Sequence, residues 1–189
     1  MGKSQMLIRI AAALVAAFLL MPLAASAQTL DPENTLYMDV PAGRVVIQLR
    51  PDLAPNHVAQ IKKLTRMGFY DGTPFHRVIE GFMAQGGDPT GTGTGGSKLP
   101  DITAEFTTKV PFTRGVVGMA RANDPNSANS QFFIMFGDAP GLNGQYTIWG
   151  QVVSGMEFVD KIKKGSGPDG MVDNPDHIIK MQVAADAKK

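Results

Sequence analysis

The chain has 189 residues, 43% of them hydrophobic and 19% charged, which fits one globular unit at about 150 residues per domain and excludes a disordered or fibrous chain. Its 18 basic residues stand against 17 acidic ones, so a net charge of +1 lacks the electrostatic footprint of a nucleic-acid binder. The absence of cysteine removes disulfide scaffolds, thiolate metal sites and cysteine nucleophiles together.

The first 27 residues read as an export signal. Lys3 and Arg9 form a positive start, Ile10 to Met21 is an unbroken apolar run, and Ala25-Ser26-Ala27 is a small-x-small cleavage pattern. An uncleaved anchor is the competing reading, but the run stops after twelve residues at Pro22, and crossing the hydrocarbon takes about 20. Cleavage would start the mature domain at Gln28 and remove Lys3 and Arg9, leaving 16 basic against 17 acidic residues, a charge of −1. The expected organisation is therefore a signal at residues 1–27 and one exported domain at 28–189, with no membrane contact after cleavage.

Asn34 to Val40, the turn Pro41-Ala42-Gly43 and Arg44 to Leu49 predict a β-hairpin. A helix is expected from Pro55, with Val58, Ile61 and Leu64 on one apolar stripe and Gly68 as its left-handed stop. Strand-like runs follow at Phe75 to Ile79, Phe82 to Gln85, Val116 to Ala120, Gln131 to Met135, Thr147 to Val153 and His177 to Val183. Between the last two, Ser154 and Glu157 have capping-box spacing ahead of Met156, Val159 and Ile162, which predicts a second helix closed by Gly165. Eight short strands separated by turns too short for helical crossovers predict an antiparallel sheet, and closing it into a barrel would remove its edges.

Several patterns point to chemistry that their surroundings do not support. Gly91-Thr92-Gly93-Thr94-Gly95-Gly96 is a literal G-x-G-x-x-G, but Pro100 follows too soon for the helix that a dinucleotide site needs, so the stretch reads as a mobile loop. His57, His76 and His177 lie far apart and in no metal-ligand spacing. No G-x-S-x-G elbow is present.

The informative segment is Phe75-His76-Arg77-Val78-Ile79-Glu80-Gly81-Phe82-Met83-Ala84-Gln85-Gly86-Gly87-Asp88, in which an arginine and a glutamine share strands with bulky apolar residues. Period-two alternation puts Phe75, Arg77 and Ile79 on one face. Taken alone, Arg77 could be a solvated edge charge and Phe82 and Met83 ordinary core. A second segment, Val117-Gly118-Met119-Ala120-Arg121-Ala122 through Ser130-Gln131-Phe132-Phe133-Ile134, completes a pattern that resembles the cyclophilins, the cyclosporin-binding peptidyl-prolyl cis-trans isomerases. The resemblance runs from about Leu36 to Val183.

That resemblance implies a mostly β fold: a closed eight-stranded antiparallel β-barrel capped by two α-helices, with a shallow peptide groove on its outer face. It implies Arg77 as the catalytic arginine and Phe82, Met83, Phe133 and Leu142 as the pocket for a proline ring. Gln85 and Gln131 would hold the substrate backbone, Ala120 and Arg121 would offer main-chain groups, and Tyr146 would close the pocket. No cofactor or metal is implied, and the partners would be proline-containing segments of unfolded or loop-exposed client proteins met by a monomer. A chaperone groove without catalysis, or an interaction subunit of an envelope complex, are the alternatives; Arg77 beside Phe82 and Met83 argues against the first, and the want of a long helix or basic tail in the mature chain against the second.

Departures from the pattern matter as well. Gly141 stands where many eukaryotic members have a rim tryptophan, which implies weak cyclosporin binding; Tyr146 stands where they often have histidine. Arg121 replaces their asparagine, the span Ala122 to Ser130 is one residue longer, and Trp149 aligns with a barrel-strand core position. These features resemble the bacterial branch, and with the export signal they imply a periplasmic location, or secretion as second choice.

Overall fold

The structure, a computed structural model, describes residues 29–187; residues 1–27, which the sequence reading takes as an export signal, and Gln28 lie outside them. Eight strands form one antiparallel sheet: β1 (Thr35–Val40), β2 (Gly43–Leu49), β3 (Arg77–Ile79), β4 (Met83–Gly86), β5 (Val116–Met119), β6 (Phe132–Met135), β7 (Ile148–Ser154) and β8 (Lys180–Val183). Their spatial order is β3-β4-β6-β5-β7-β2-β1-β8. The β1–β2 hairpin has the expected turn, with Val40 facing Gly43.

The sheet curls but does not close by a strand ladder, because β3 and β8 remain its two edges. The segments just before them meet instead at a single bridge, Pro74 to His177. Flanking it, Gly72 N–H donates to Ile178 O, Ile178 N–H to Thr73 O and Phe75 N–H to Asp176 O. The expected closed barrel is therefore an open, curled sheet with a loop-built seam, and His177 to Ile179 lie at that seam and not in the last strand.

Alternation decides what the sheet buries. Leu36, Met38 and Val40 on β1 and Val45, Ile47 and Leu49 on β2 point into the main core, where Trp149, as expected, is fully buried. Strands β5 and β6 are buried at every position because both of their faces are covered. Val117, Met119, Phe132 and Ile134 face the main core, whereas Val116, Phe133 and Met135 face a second apolar cluster with Met83, Phe112 and Ile148. Phe75, expected on the face of Arg77, belongs to the main core, since regular alternation begins only at Arg77.

Helix α1 (Pro55–Arg66) buries Val58, Ile61 and Leu64 and packs toward β7 and β8. It stops as expected: Gly68 has φ 68°, its N–H bonds Thr65 O and the Phe69 N–H bonds Leu64 O, a Schellman ending. Helix α2 (Met156–Val159) departs from expectation, because Ser154 closes β7 opposite Val46 and makes no cap. Gly155 at φ 84° is the N-cap; a side chain there would collide with the Arg44 carbonyl, so only glycine lets the chain turn this close to β2. After one α-turn the chain continues in short turns to the buried Ile162. Gly165 is not a helix stop but lies against β3, where its N–H donates to Val78 O.

The start of α1 carries a long-range cap. Ala54 offers no side-chain bond, and the Glu105 carboxylate accepts from the N–H groups of Asn56 and His57 at 3.1 and 3.0 Å. The same carboxylate meets His57 Nδ1 at 2.6 Å, and His57 is fully buried. Burial holds His57 below its ordinary 6.5, against the opposing Glu105. Burial pulls Glu105 upward, but the His57 ring and the two amides outweigh it and hold the carboxyl below its ordinary 4.5.

Both groups are depressed in the folded state, so on acidification the unfolded chain binds protons first and their stabilisation, complete at neutral pH, is lost as pH falls. Urea midpoints are expected to fall in one step beginning near pH 6.5 and another below about 4.5. His76, also held low by burial, shares the first step, so His57→Gln should shrink it without abolishing it. Glu105→Ala should cost about 1 to 3 kcal/mol at pH 7. A flat profile above pH 5, or an unchanged midpoint for Glu105→Ala, would remove the pair from the stability account.

Candidate active site

The second apolar cluster is the floor of a groove on the outer face of the sheet. Strand register sets Arg77 opposite Gln85, Gln85 opposite Phe133, and Phe133 opposite Gly118, one row of side chains across four strands. Gly118 is what lets the row lie flat: a Cβ there would stand 2.5 Å from Phe133 Cζ and 2.7 Å from Phe112 Cε1. The Phe133 ring accordingly stacks on Phe112 at 5.7 Å and 27°, and meets Tyr146 edge-on at 5.7 Å and 86°.

A cavity of about 230 Å³ opens on this row, lined by Arg77, Phe82, Met83, Gln85, Ala120, Arg121, Phe133, Leu142 and Tyr146. The fold thus brings together nine of the ten residues singled out in the sequence. The tenth, Gln131, lines a neighbouring cavity of about 580 Å³ that shares Gln85, Ala120 and Arg121 and is walled by the glycine loop, Ser127 and Asn129. Met83 and Phe133 form the buried wall. Leu142 comes from the Pro140–Leu142 turn, which is tied down by Ala139 N–H to Phe112 O and by Phe112 N–H to Asn143 Oδ1. Gly141 is not a lining residue, and a Cβ built on it meets nothing within 4 Å.

The polar side of the row is one directed chain of hydrogen bonds. Arg77 Nε donates to Asp169 O at 3.0 Å, and Nη1 to Gln85 Oε1 at 3.2 Å with Met83 Sδ at 4.0 Å. Gln85 Nε2 donates to Gln131 Oε1 at 2.9 Å, and Gln131 Nε2 donates to the carbonyls of Gly93 and Gly95 at 3.0 and 2.8 Å. A guanidinium only donates and a carbonyl only accepts, so the two ends fix the orientation of both amides between them. Gln131 has then spent its N–H groups and keeps acceptor capacity on Oε1, while Gln85 keeps one N–H.

Charge is concentrated in this groove. Among the described residues, Arg44, Arg50, Arg66 and Arg114 each pair with a carboxylate, whereas Arg77 and Arg121 pair with none, and both line the smaller cavity. Arg121 lies over the Tyr146 ring at 4.7 Å and bonds Gln145 O, Ala122 O and Asn123 O. Its side chain therefore fixes the rim, which the sequence reading, concerned with its main chain, did not foresee. The Ala120 N–H donates to Gln131 O, which leaves its carbonyl as the main-chain group free to meet a peptide.

Three further residues shape the site without having been singled out for it. Gly118 was readable as a glycine inside a strand, which marks close approach. Glu105 reaches the groove wall through its N–H, which donates to Thr147 Oγ1 beside Tyr146, and carried no local signal. Asp88 is fully buried beneath the glycine loop, where its carboxylate accepts from Thr90 N–H and Oγ1 and from the N–H groups of Gly93 and Gly95. These amides face an internal carboxylate, and the loop is tied on one side by Asp88 and on the other by Gln131, which replaces the expectation of a mobile loop. Among the described residues, no group of three or more His, Cys, Asp or Glu side chains is placed to hold a metal ion, and no helix is long and apolar enough to cross a membrane.

The family model described as cyclophilin type peptidyl-prolyl cis-trans isomerase/CLD matches residues 35–183. A probable peptidyl-prolyl cis-trans isomerase of Brucella suis is 59% identical over 175 residues, covering 86% of this chain and 89% of its own length. Peptidyl-prolyl cis-trans isomerase B of Bacillus subtilis is 45% identical over 125 residues, covering 65% of this chain and 85% of its own. Among solved structures, a cyclophilin from Hirschia baltica superimposes with a TM-score of 0.76 at 32% identity, covering 85% of this chain and 77% of that one. A cyclophilin type isomerase from Cryptosporidium parvum, crystallised in the presence of the dipeptide Ala-Pro, gives 0.72 at 29% identity over 79% and 98% of the two chains. The matched span runs from the first residue of β1 to the last of β8 and contains every residue of both cavities; the chain belongs to the cyclophilin family and is a peptidyl-prolyl cis-trans isomerase.

Proposed function

We propose that this isomerase turns X-Pro bonds of exported proteins by a non-covalent mechanism in which Arg77 stabilises the twisted amide. The observation that carries the reading is a permanent cation held on two sides by neutral partners beside a small apolar pocket. Rotation about a peptide bond meets a barrier of about 18 to 20 kcal/mol because the nitrogen lone pair is shared with the carbonyl. Twisting returns that pair to nitrogen, and a guanidinium donor aimed there, or at the carbonyl losing conjugation, binds the twisted state better than either planar one. Nη2 makes no internal bond and supplies the donors.

The remaining residues divide the work. Phe82, Met83, Phe133 and Leu142 hold the proline ring and Tyr146 closes over it. The free N–H of Gln85 meets a substrate carbonyl, and Gln131 Oε1 and the Ala120 carbonyl accept from substrate N–H groups. Pinning the ring while the preceding carbonyl turns converts binding into orientation. No bond breaks and no cofactor is required. Proline-containing segments of unfolded or exposed-loop clients, met in the periplasm by a monomer, are the partners this reading gives.

Two variants test the site. Arg77→Ala should lose about 2.7 to 4 kcal/mol of transition-state stabilisation, two to three orders of magnitude in kcat/KM, with an unchanged thermal midpoint. Phe133 also belongs to the outer apolar cluster, so Phe133→Leu, which keeps bulk, is the informative wall variant. It should raise KM roughly fivefold, about 1 kcal/mol, with little change in kcat. A fully active Arg77→Ala, or a Phe133→Leu with native KM, would move the site elsewhere.

Cyclosporin should bind more weakly here than in members with a rim tryptophan, by about 2 to 3 kcal/mol or one to two orders of magnitude, because Gly141 supplies neither ring surface nor an N–H. The open space around Gly141 leaves room for Gly141→Trp, which should recover much of that loss. Tight inhibition of the parent, or no gain in the variant, refutes the rim assignment.

Export is tested by expressing the full chain in a Gram-negative host and sequencing the N-terminus of the periplasmic protein. Gln28 is the expected first residue; a protein retaining residues 1–27 overturns the signal reading.

A further inference from the structure

The hydrogen-bond chain that orients Arg77 does not end at Gln131. It ends on the carbonyls of Gly93 and Gly95, and those carbonyls have no helix or strand to hold them. What holds them is Asp88, whose Oδ2 accepts from the N–H groups of the same two glycines at 2.7 and 3.1 Å. Its Oδ1 binds Thr90 through N–H and hydroxyl at 2.8 and 2.7 Å. Each glycine is thus gripped on one side by an anion and presents its carbonyl on the other to Gln131. The glycine spacing follows from this grip: Gly93 has φ 84°, and a Cβ at Gly95 would collide with Asp88 Oδ1.

We infer that Asp88 is a positioning residue of the isomerase, acting through the glycine loop and Gln131 on Gln85 and Arg77. It is not among the residues that line the proline pocket. Burial raises its carboxyl, but the bonds from Thr90, Gly95 and Gly93 prevail and keep it ionised. As a full negative charge it makes the loop amides stronger anchors than a neutral acceptor would. The glycine motif, which matches a dinucleotide loop in its letters alone, is then the outer bracket of a catalytic amide pair. This inference rests on the assignment of Arg77 above.

The test is a double-mutant cycle on the full mature domain, read by proline isomerisation kinetics and by peptide affinity. Asp88→Asn keeps the shape but turns donors toward donors. It should lower kcat/KM about tenfold, mostly through kcat, in the parent and less than twofold in a Gln131→Ala background. An equal loss in both backgrounds overturns the inference, because Asp88 would then act only on general stability. If Asp88→Asn does not fold, Thr90→Val, which removes one donor to Asp88, decides by the same comparison, with a two- to threefold loss expected only when Gln131 is present. Arg77→Ala runs alongside: should it prove fully active, the catalytic assignment fails, while a loss of kcat in Asp88→Asn that depends on Gln131 would still report the positioning chain.

Discussion

Strand β6 is apolar on both faces, and the functional surface of the molecule depends on that constraint. A strand in a one-sided sheet would expose alternate residues to water, but Phe133 and Met135 instead rest in a second cluster outside the main core. Burying two faces lets a four-residue strand stay rigid at the point where a groove must be cut into the surface. The groove floor is therefore packed as tightly as an interior, and a ring entering it meets walls that do not yield. The missing side chain at Gly118 completes the arrangement, since it admits the stacked pair of rings that any larger residue would separate.

Against that apolar floor the polar groups follow a different logic. Among the described residues, the arginines that line the smaller cavity are the two that pair with no carboxylate, and Arg77 is held by a carbonyl and an amide instead. Neutral partners fix geometry without cancelling charge, so the field remains available to a substrate. A carboxylate does serve the site, but from beneath the glycine loop, with backbone and two amides between it and the cation.

Much of this was legible in the sequence, for identifiable reasons. The hairpin, the apolar stripe of α1 and its Gly68 stop follow from local periodicity and backbone freedom, and local rules held there. The residues that line the smaller cavity were reached through family resemblance, since alternation alone leaves Arg77 open to being a solvated edge charge. The failures are tertiary. Ser154 has the right spacing for a cap, yet β7 runs on to pair it with Val46, and the turn into α2 falls to Gly155. Phe75 has the parity of Arg77, but the strand starts two residues later. The sheet's ends approach through loops at Pro74 and His177, and no periodicity in either segment reports that they meet. Asp88, with the glycine loop above it, reads as punctuation until the carbonyls of that loop are seen to face Gln131.

The cap on α1 has a consequence for how the chain acquires its structure. Twelve residues are few for a helix in water, and this one begins after Ala54 with no nearby side chain to receive its first amides. Their acceptor, Glu105, lies 48 residues beyond His57, past β3, β4 and the glycine loop. The opening turn of α1 cannot be secured until that distant segment has docked, through Thr147, at the residue that precedes β7. Closing so long a loop carries an entropic cost that comes before any reward, which places the N-terminal turn among the late events of folding while its Schellman end can form early. This isomerase thus defers the completion of its own first helix to a long-range contact.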